Sequence, residues 1–184
     1  MKRLLILCLG LSLTACVSVR STPKPDISAI DTSFPLAAGG QANAQYRLAN
    51  DHNWYGGAPR GAMPLNDQEA FAWLTLAADQ GHADAQLVLA RRYIFSSMRD
   101  DPDIGIYWAG RAAANANPQA CNLLGEVYWQ GKHIARDPAE AYKWYFLAAN
   151  DSRLGQMARE LAPEVVAEGR ERALAWRKLH PKKL

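Results

Sequence analysis

Residues 69–78 read EAFAWLTLAA and residues 140–149 read EAYKWYFLAA. Six of the ten positions are identical, and Phe71 answers Tyr142, across a separation of 71 residues. A weaker copy lies between them, in DIGIYWAGRAAA. Its Trp108, Ala112 and Ala113 fall 35 residues after Trp73, Ala77 and Ala78, and 36 before Trp144, Ala148 and Ala149. One helical sentence is therefore written three times.

Each copy is preceded by a second helical pattern. In the third, ACNLLGEVYWQG sets Ala120, Leu124 and Tyr128 at i, i+4 and i+8, with Gly125 beside Leu124. One face is apolar, and Gly131 supplies a residue free to take positive φ after a helix. Asp137 reads as the N-cap of the next helix, with Pro138 in its first turn and Glu140 placed as a capping-box partner. Ala141, Trp144, Tyr145 and Ala148 continue the apolar stripe. The second unit repeats the design with Ala85, Leu89 and Tyr93, then Asp101 and Pro102. Ala90 stands for Gly125, and Ile104 replaces the capping acid. The first unit gives Ala44, Leu48 and Ala49, with His52 in the tyrosine position, and its second helix opens at Asn66. The anchors Ala44, Ala85 and Ala120 are 41 and 35 residues apart, and the surplus lies in the loop NDHNWYGGAPRGAMPLN. Small residues let helix backbones approach, while Tyr and Trp fill the wider gaps. One hairpin cannot bury its own apolar face, but a stack can, so the ridge recurs.

The pattern A-x-x-x-L-G-x-x-Y-x-x-G followed by D-x-x-x-A-x-x-W-x-x-x-A-A resembles the Sel-one-like repeat, a relative of the tetratricopeptide repeat. The resemblance covers residues 42–150, is strongest in the third unit, and departs from the pattern at His52, Ala49, Ala90 and Gly105. It implies an all-α fold: a right-handed superhelical stack of helix-turn-helix repeats, an α-solenoid. The domain is expected over 42–180, as about three repeats and a C-terminal capping helix. In the tail, Ala162, Val166, Gly169, Ala173 and Trp176 form a single apolar seam, with charged residues on the other faces, as a terminal cap requires. Lys178, His180, Lys182 and Lys183 place favourable charge at the end of that helix.

The first residues belong to a different system. MKRLLILCLGLSLTAC has a charged start, an apolar run from Leu4 to Leu13 and small residues before Cys16, which reads as a secretory signal over 1–15. LTAC resembles the lipobox of bacterial lipoproteins, so Cys16 is the expected lipidation site. No Asp follows Cys16, which by resemblance to Gram-negative sorting points to the outer membrane, facing the periplasm. Residues 16–41, broken by Pro23, Pro25, Pro35, Gly39 and Gly40, read as a flexible tether spanning at most roughly 80 Å.

Composition narrows the function. The chain of 184 residues carries 21 basic and 18 acidic side chains, and loss of Lys2 and Arg3 with the signal leaves 19 basic. That balance gives no electrostatic case for nucleic acid. Cys8 leaves with the signal and Cys16 takes lipid, so Cys121 reads as a small buried apolar residue. His52, His82, His133 and His180 are scattered, and no motif with metal, nucleophile or phosphate-loop spacing stands in the mature chain. No metal, cofactor or catalytic residue is expected.

A helical repeat without such a centre is a binding surface. By register, the outward residues of the first helices line a concave face: Tyr46, Asn50 and Trp54 in unit one, Leu87, Arg91 and Phe95 in unit two, Asn122, Glu126 and Trp129 in unit three. Aromatic and arginine side chains there suit a partner. Leu87 and Phe95 fit a core equally well, and Trp129 fits packing under a loop. In the long first loop, Trp54 and Tyr55 stand beside two glycines and either touch a partner or seal the first unit. The expected function is a membrane-anchored adaptor holding another envelope or periplasmic protein, monomeric when unbound. The alternatives are an immunity protein neutralising a periplasm-acting toxic effector, or a weak hydrolase of peptidoglycan or β-lactams, since the resemblance carries a link to β-lactam binding.

Overall fold

The computed structural model describes residues 35–51, 67–96 and 101–181. The elements are α1 (Pro35–Ala38), α2 (Ala42–Asp51), α3 (Asp67–Asp79), α4 (Ala83–Phe95), α5 (Pro102–Ala114), α6 (Pro118–Gln130), α7 (Pro138–Leu147), α8 (Asp151–Glu160) and α9 (Pro163–Leu179). No strand occurs among the described residues. Within each unit the two helices pack together, α2 on α3, α4 on α5 and α6 on α7, and units join through α3 on α4 and α5 on α6. The result is an all-α stack of helical hairpins.

The caps set the element boundaries. Asp101 Oδ1 accepts the Ile104 N–H at 3.2 Å, and Asp137 Oδ1 accepts the Glu140 N–H at 2.9 Å. The reciprocal half of the expected capping box is absent. The Glu140 carboxylate turns to Lys143 and Arg172, and the Asp137 N–H donates instead to the Tyr128 carbonyl at 3.1 Å. Asp101 repeats this with the Tyr93 carbonyl at 3.0 Å, so the chain's own backbone ties the two helices of each of these units.

Each passage from one unit to the next is a three-residue turn, at 80–82, 115–117 and 148–150, and the turn at 39–41 has the same length. The middle residue takes positive φ in all four, whether glycine or alanine: Gly40 at 85°, Gly81 at 91°, Ala116 at 63° and Ala149 at 53°. In the last three turns the final residue both closes the old helix and caps the new one. The His82 N–H donates to the Ala77 carbonyl while its Nδ1 accepts the Ala85 N–H. Asn117 does the same with Ala112 and Ala120, and Asn150 with Tyr145 and Arg153. This is a left-handed C-terminal stop fused to an N-cap.

Close packing rests on small residues that change places. A Cβ on Gly125 would lie 2.9 Å from the Tyr145 ring, and one on Gly105 would lie 2.4 Å from Ile94 Cγ1 and 3.0 Å from the Ala90 carbonyl oxygen. In unit three the glycine is on the first helix and Ala141 stands on the second. In unit two the order is reversed, with Ala90 and Gly105. Ala109 answers Tyr145 in unit two, so the ring that Gly125 makes room for is absent where Ala90 stands.

Three expectations need correction. Ala148 and Ala149 do not form a buried pair like Ala77 and Ala78: α7 stops at Leu147, Ala148 is its C-cap, and Ala149 is exposed. Residues 35–41 are not a free tether: Ala37 is buried, and its carbonyl accepts the Gln45 Nε2 at 3.1 Å, so the packed body begins ahead of residue 42. Ala162 is exposed and lies outside the seam of α9, which buries Gly169 and Ala173 and half-buries Val166 and Trp176.

The far end is closed by α8 and α9. Met157 of α8 and Ala141, Tyr142 and Tyr145 of α7 form a second small core. Helix α9 folds back along α7, where a Cβ on Gly169 would meet the Ala139 carbonyl oxygen at 2.8 Å. The Trp176 ring meets Trp144 edge-on at 5.7 Å. Arg172 then fastens α9 to the start of α7, donating to Asp137 at 2.8 Å and Glu140 at 3.2 Å.

Candidate binding face

Helices α2, α4 and α6 open the three units, and their outward residues occupy three kinds of environment. Tyr46 is half-buried and stacks on His82 at 4.4 Å with a 28° angle between the rings. Burial and then the nearby Asp84 raise its phenol above the usual value, so it presents a neutral hydroxyl. Asn50 and Arg91 are exposed. Phe95 is 56% exposed and meets the His133 ring nearly at a right angle, at 5.8 Å. Leu87, on the same helix, is only 4% exposed and belongs to the core, so it is removed from the binding set.

Unit three departs from the expectation more fully. Asn122 accepts a hydrogen bond from Asn150 Nδ2 at 2.6 Å and donates to the Pro118 carbonyl at 3.2 Å. Glu126 accepts from the Tyr145 hydroxyl at 2.8 Å, from Arg153 Nη2 at 3.0 Å and from Gln130. Burial and then the Glu126 carboxylate push the Tyr145 phenol upward, keeping it a donor. Both residues serve to seat α8. Trp129 packs against the small core of α7 and α8, with the Arg136 guanidinium 4.7 Å over its ring and Arg136 Nε donating to its carbonyl at 3.1 Å. Its register mate in unit two is Ile94, 1% exposed, which explains the inward direction. Trp54 and Tyr55, like Cys16, the expected lipidation site, lie outside the described residues. The accessible face thus reduces to Tyr46, Asn50, Arg91 and Phe95, joined by His133 from the loop after α6.

Beneath this face lies a pair of buried amides that the apolar periodicity does not reveal. Gln45 Oε1 accepts from Gln80 at 2.7 Å, while its own Nε2 reaches back to Ala37. Gln86, fully buried, donates to the Ala78 carbonyl at 2.8 Å and accepts from Asn115 Nδ2 at 2.9 Å. Each glutamine joins three consecutive helices and satisfies a carbonyl at a helix end. The signal was present in ANAQ and ADAQ, where the same Ala-Gln recurs at the same register. Unit three has Cys121 in that place, buried and free, with its thiol pushed to about 11 by burial. The expectation of an inert buried cysteine agrees with this environment. No cluster of metal-ligating side chains occurs among the described residues.

Comparison with known proteins agrees with this architecture. Chitin synthase regulatory factor 3 of Schizosaccharomyces pombe is 30% identical over 113 residues, which is 60% of this chain and 11% of that protein. The chain therefore spans about a tenth of that relative's length. The crystal structure of a Sel1 repeat protein from Oxalobacter formigenes is 29% identical, with a TM-score of 0.56, covering 66% of this chain and 93% of that one. Immunity protein Pa5087 from Pseudomonas aeruginosa is more remote, at 15% identity and a TM-score of 0.37 over 87% of this chain and 77% of that one. A likeness that distant carries no argument for a neutralising role. The Sel1 repeat model matches residues 42–82, 83–117 and 118–152, the same three units that the turns and caps delimit. Three hairpins of that length, stacked through their own N-caps and small-residue contacts, place this chain in the Sel1 repeat family.

Proposed function

We propose that the protein is a lipid-anchored adaptor that holds another envelope protein on the face built by α2 and α4. Sel1 repeat domains generally bind other proteins and generally lack enzymatic activity. The observation that carries the finer reading is the exposed pair Arg91 and Phe95 in the middle of the stack, where the first and third units commit their side chains to internal contacts or neutral groups. The N-terminal signal and Cys16 support attachment at the outer membrane, on the periplasmic side. The described residues contain no helix long and apolar enough to cross a membrane.

The test is co-purification from cross-linked, detergent-solubilised envelopes. Wild type is compared with an Arg91→Glu, Phe95→Ala double variant whose fold is checked by circular dichroism. A protein captured by the wild type and lost in the variant supports the adaptor; equal capture moves the site elsewhere. Fractionation of Cys16→Ser tests the anchor, which is rejected if lipid labelling and membrane association are unchanged.

A further inference from the structure

The binding reading leaves the partner's chemistry open, and the charges around α4 narrow it. Arg91 and Phe95 stand four residues apart on α4, so their side chains lie side by side on one face. Both are exposed, whereas Leu87, one turn before Arg91, is buried. Phe95 meets the His133 ring at 5.8 Å and 77°, so the exposed aromatic side chain has a second ring against it. The register mates of Arg91 are Asn50 in unit one and Glu126 in unit three. Asn50 carries no charge. Glu126 would be the natural counter-charge, but its carboxylate already accepts from Tyr145, Arg153 and Gln130. Arg153 neutralises Glu126 at 3.0 Å, so among these register positions the positive charge of Arg91 stays uncompensated in the middle of the face. A guanidinium beside a supported aromatic ring is a well-suited anchor for a carboxylate next to an apolar group.

We infer that Arg91, Phe95 and His133 form a docking point for an acidic polypeptide segment whose carboxylates alternate with aromatic or aliphatic side chains. This rests on the binding reading above and specifies its partner. The carboxylate pairs with Arg91, and the neighbouring apolar side chain covers the exposed part of Phe95. Burial of both together strengthens each, because the apolar contact removes water from the ion pair.

The experiment uses full-length protein in detergent and three fluorescein-labelled synthetic peptides, followed by anisotropy at low and physiological salt. One peptide alternates glutamate with leucine and phenylalanine. The second replaces glutamate by lysine, and the third keeps glutamate but replaces the apolar residues by alanine. The expected result is saturable binding of the first, at least roughly tenfold tighter than either control. Arg91→Glu should weaken it by roughly tenfold or more and flatten its salt dependence. Phe95→Ala should weaken it while leaving the salt dependence in place. Lys178→Glu, on α9, should change nothing. Equal binding of the three peptides, no binding of any, or wild-type binding by both α4 variants overturns the proposal. Capture of a basic or neutral partner in the cross-linking experiment would also overturn it while leaving the adaptor intact.

Discussion

Helices α3 and α7 contain nearly the same ten residues and end differently. In α3 the final Leu-Ala-Ala lies inside the helix, and Ala77 and Ala78 are fully buried. In α7 the same letters are the stop: Leu147 is the last helical residue, Ala148 caps it, and Ala149 takes φ 53° in the open. Helix α3 has 13 residues and α7 has 10. The difference lies in the next few residues of the chain. After Ala78 the chain offers Gly81 for the left-handed position and His82 for the cap. Were α7 to run as long, those positions would fall on Ser152 and Arg153, and Arg153 cannot cap a helix. Asn150 can, and it also donates to Asn122. A downstream cap thus decides where an upstream helix ends.

This contrast can be broken by substitution. The largest effect is expected at Ala78→Leu, which overpacks a closed helix contact and should cost about 1–3 kcal/mol in urea unfolding. Ala149→Leu, the same change at the matching letter, should stay within about 0.5 kcal/mol. Equal costs would mean that both alanines are in one environment. Next, Asn150→Ala should cost about 1 kcal/mol through the lost cap and lower hydrogen-exchange protection across α8. Retained protection in α8 would show that the cap does not set the boundary. Smaller, and opposite in sign between the two copies, are the glycine changes. Ala149→Gly relieves a left-handed alanine and should raise stability by up to about 1 kcal/mol, after the entropy of the unfolded chain is counted. Ala78→Gly should lower it by about the same amount. A matching sign in thermal unfolding would contradict the assignment.

The smallest effect sharpens the comparison at the other end of α7, which α9 holds and α3 lacks. Burial alone would raise the Asp137 carboxyl, but the Arg172 hydrogen bond and the Glu140 N–H outweigh it and hold it below the ordinary value. A depressed folded value contributes stability that is present above the unfolded carboxylate value and is lost as pH falls through the folded one. Stability should therefore decline below about pH 4, and Arg172→Ala should reduce that slope. An unchanged slope in the variant would show that the contact is too solvated to matter. The pair is over a third exposed, which makes this effect small.

The architecture was legible because its signals are local and repeated. Trp73, Trp108 and Trp144, with their caps, mark the second helices without any need for tertiary information. The binding face was less legible. Leu87 and Phe95 sit on the same helix and only packing separates them, one at 4% and the other at 56% exposure. Asn122 and Glu126 looked free because their partners, Asn150 and Arg153, lie about 27 residues downstream, at the start of a helix whose own boundary depends on the cap. Trp129 was misplaced by one position of register, since Gln130, not Trp129, answers Phe95. The Ala90 and Gly105 departures were visible singly, but the rings and side chains they pack against, Tyr145 opposite Gly125 and Ile94 opposite Gly105, required the helices to be seen in contact.

The three-residue turns have a consequence for change in length. One residue there serves as the end of one helix and the cap of the next, so adding even one more would separate those duties and misalign every later unit. At the opposite edge, where the two helices of a unit connect, Asp101 and Asp137 also tie to the helix before and cap the one after, but the connections ahead of them differ in length. They range from the short 96–101 to the long 52–66. The molecule thus has one edge that cannot accept insertions and one that can, and a tag or a foreign loop placed at 52–66 should leave the stack in register.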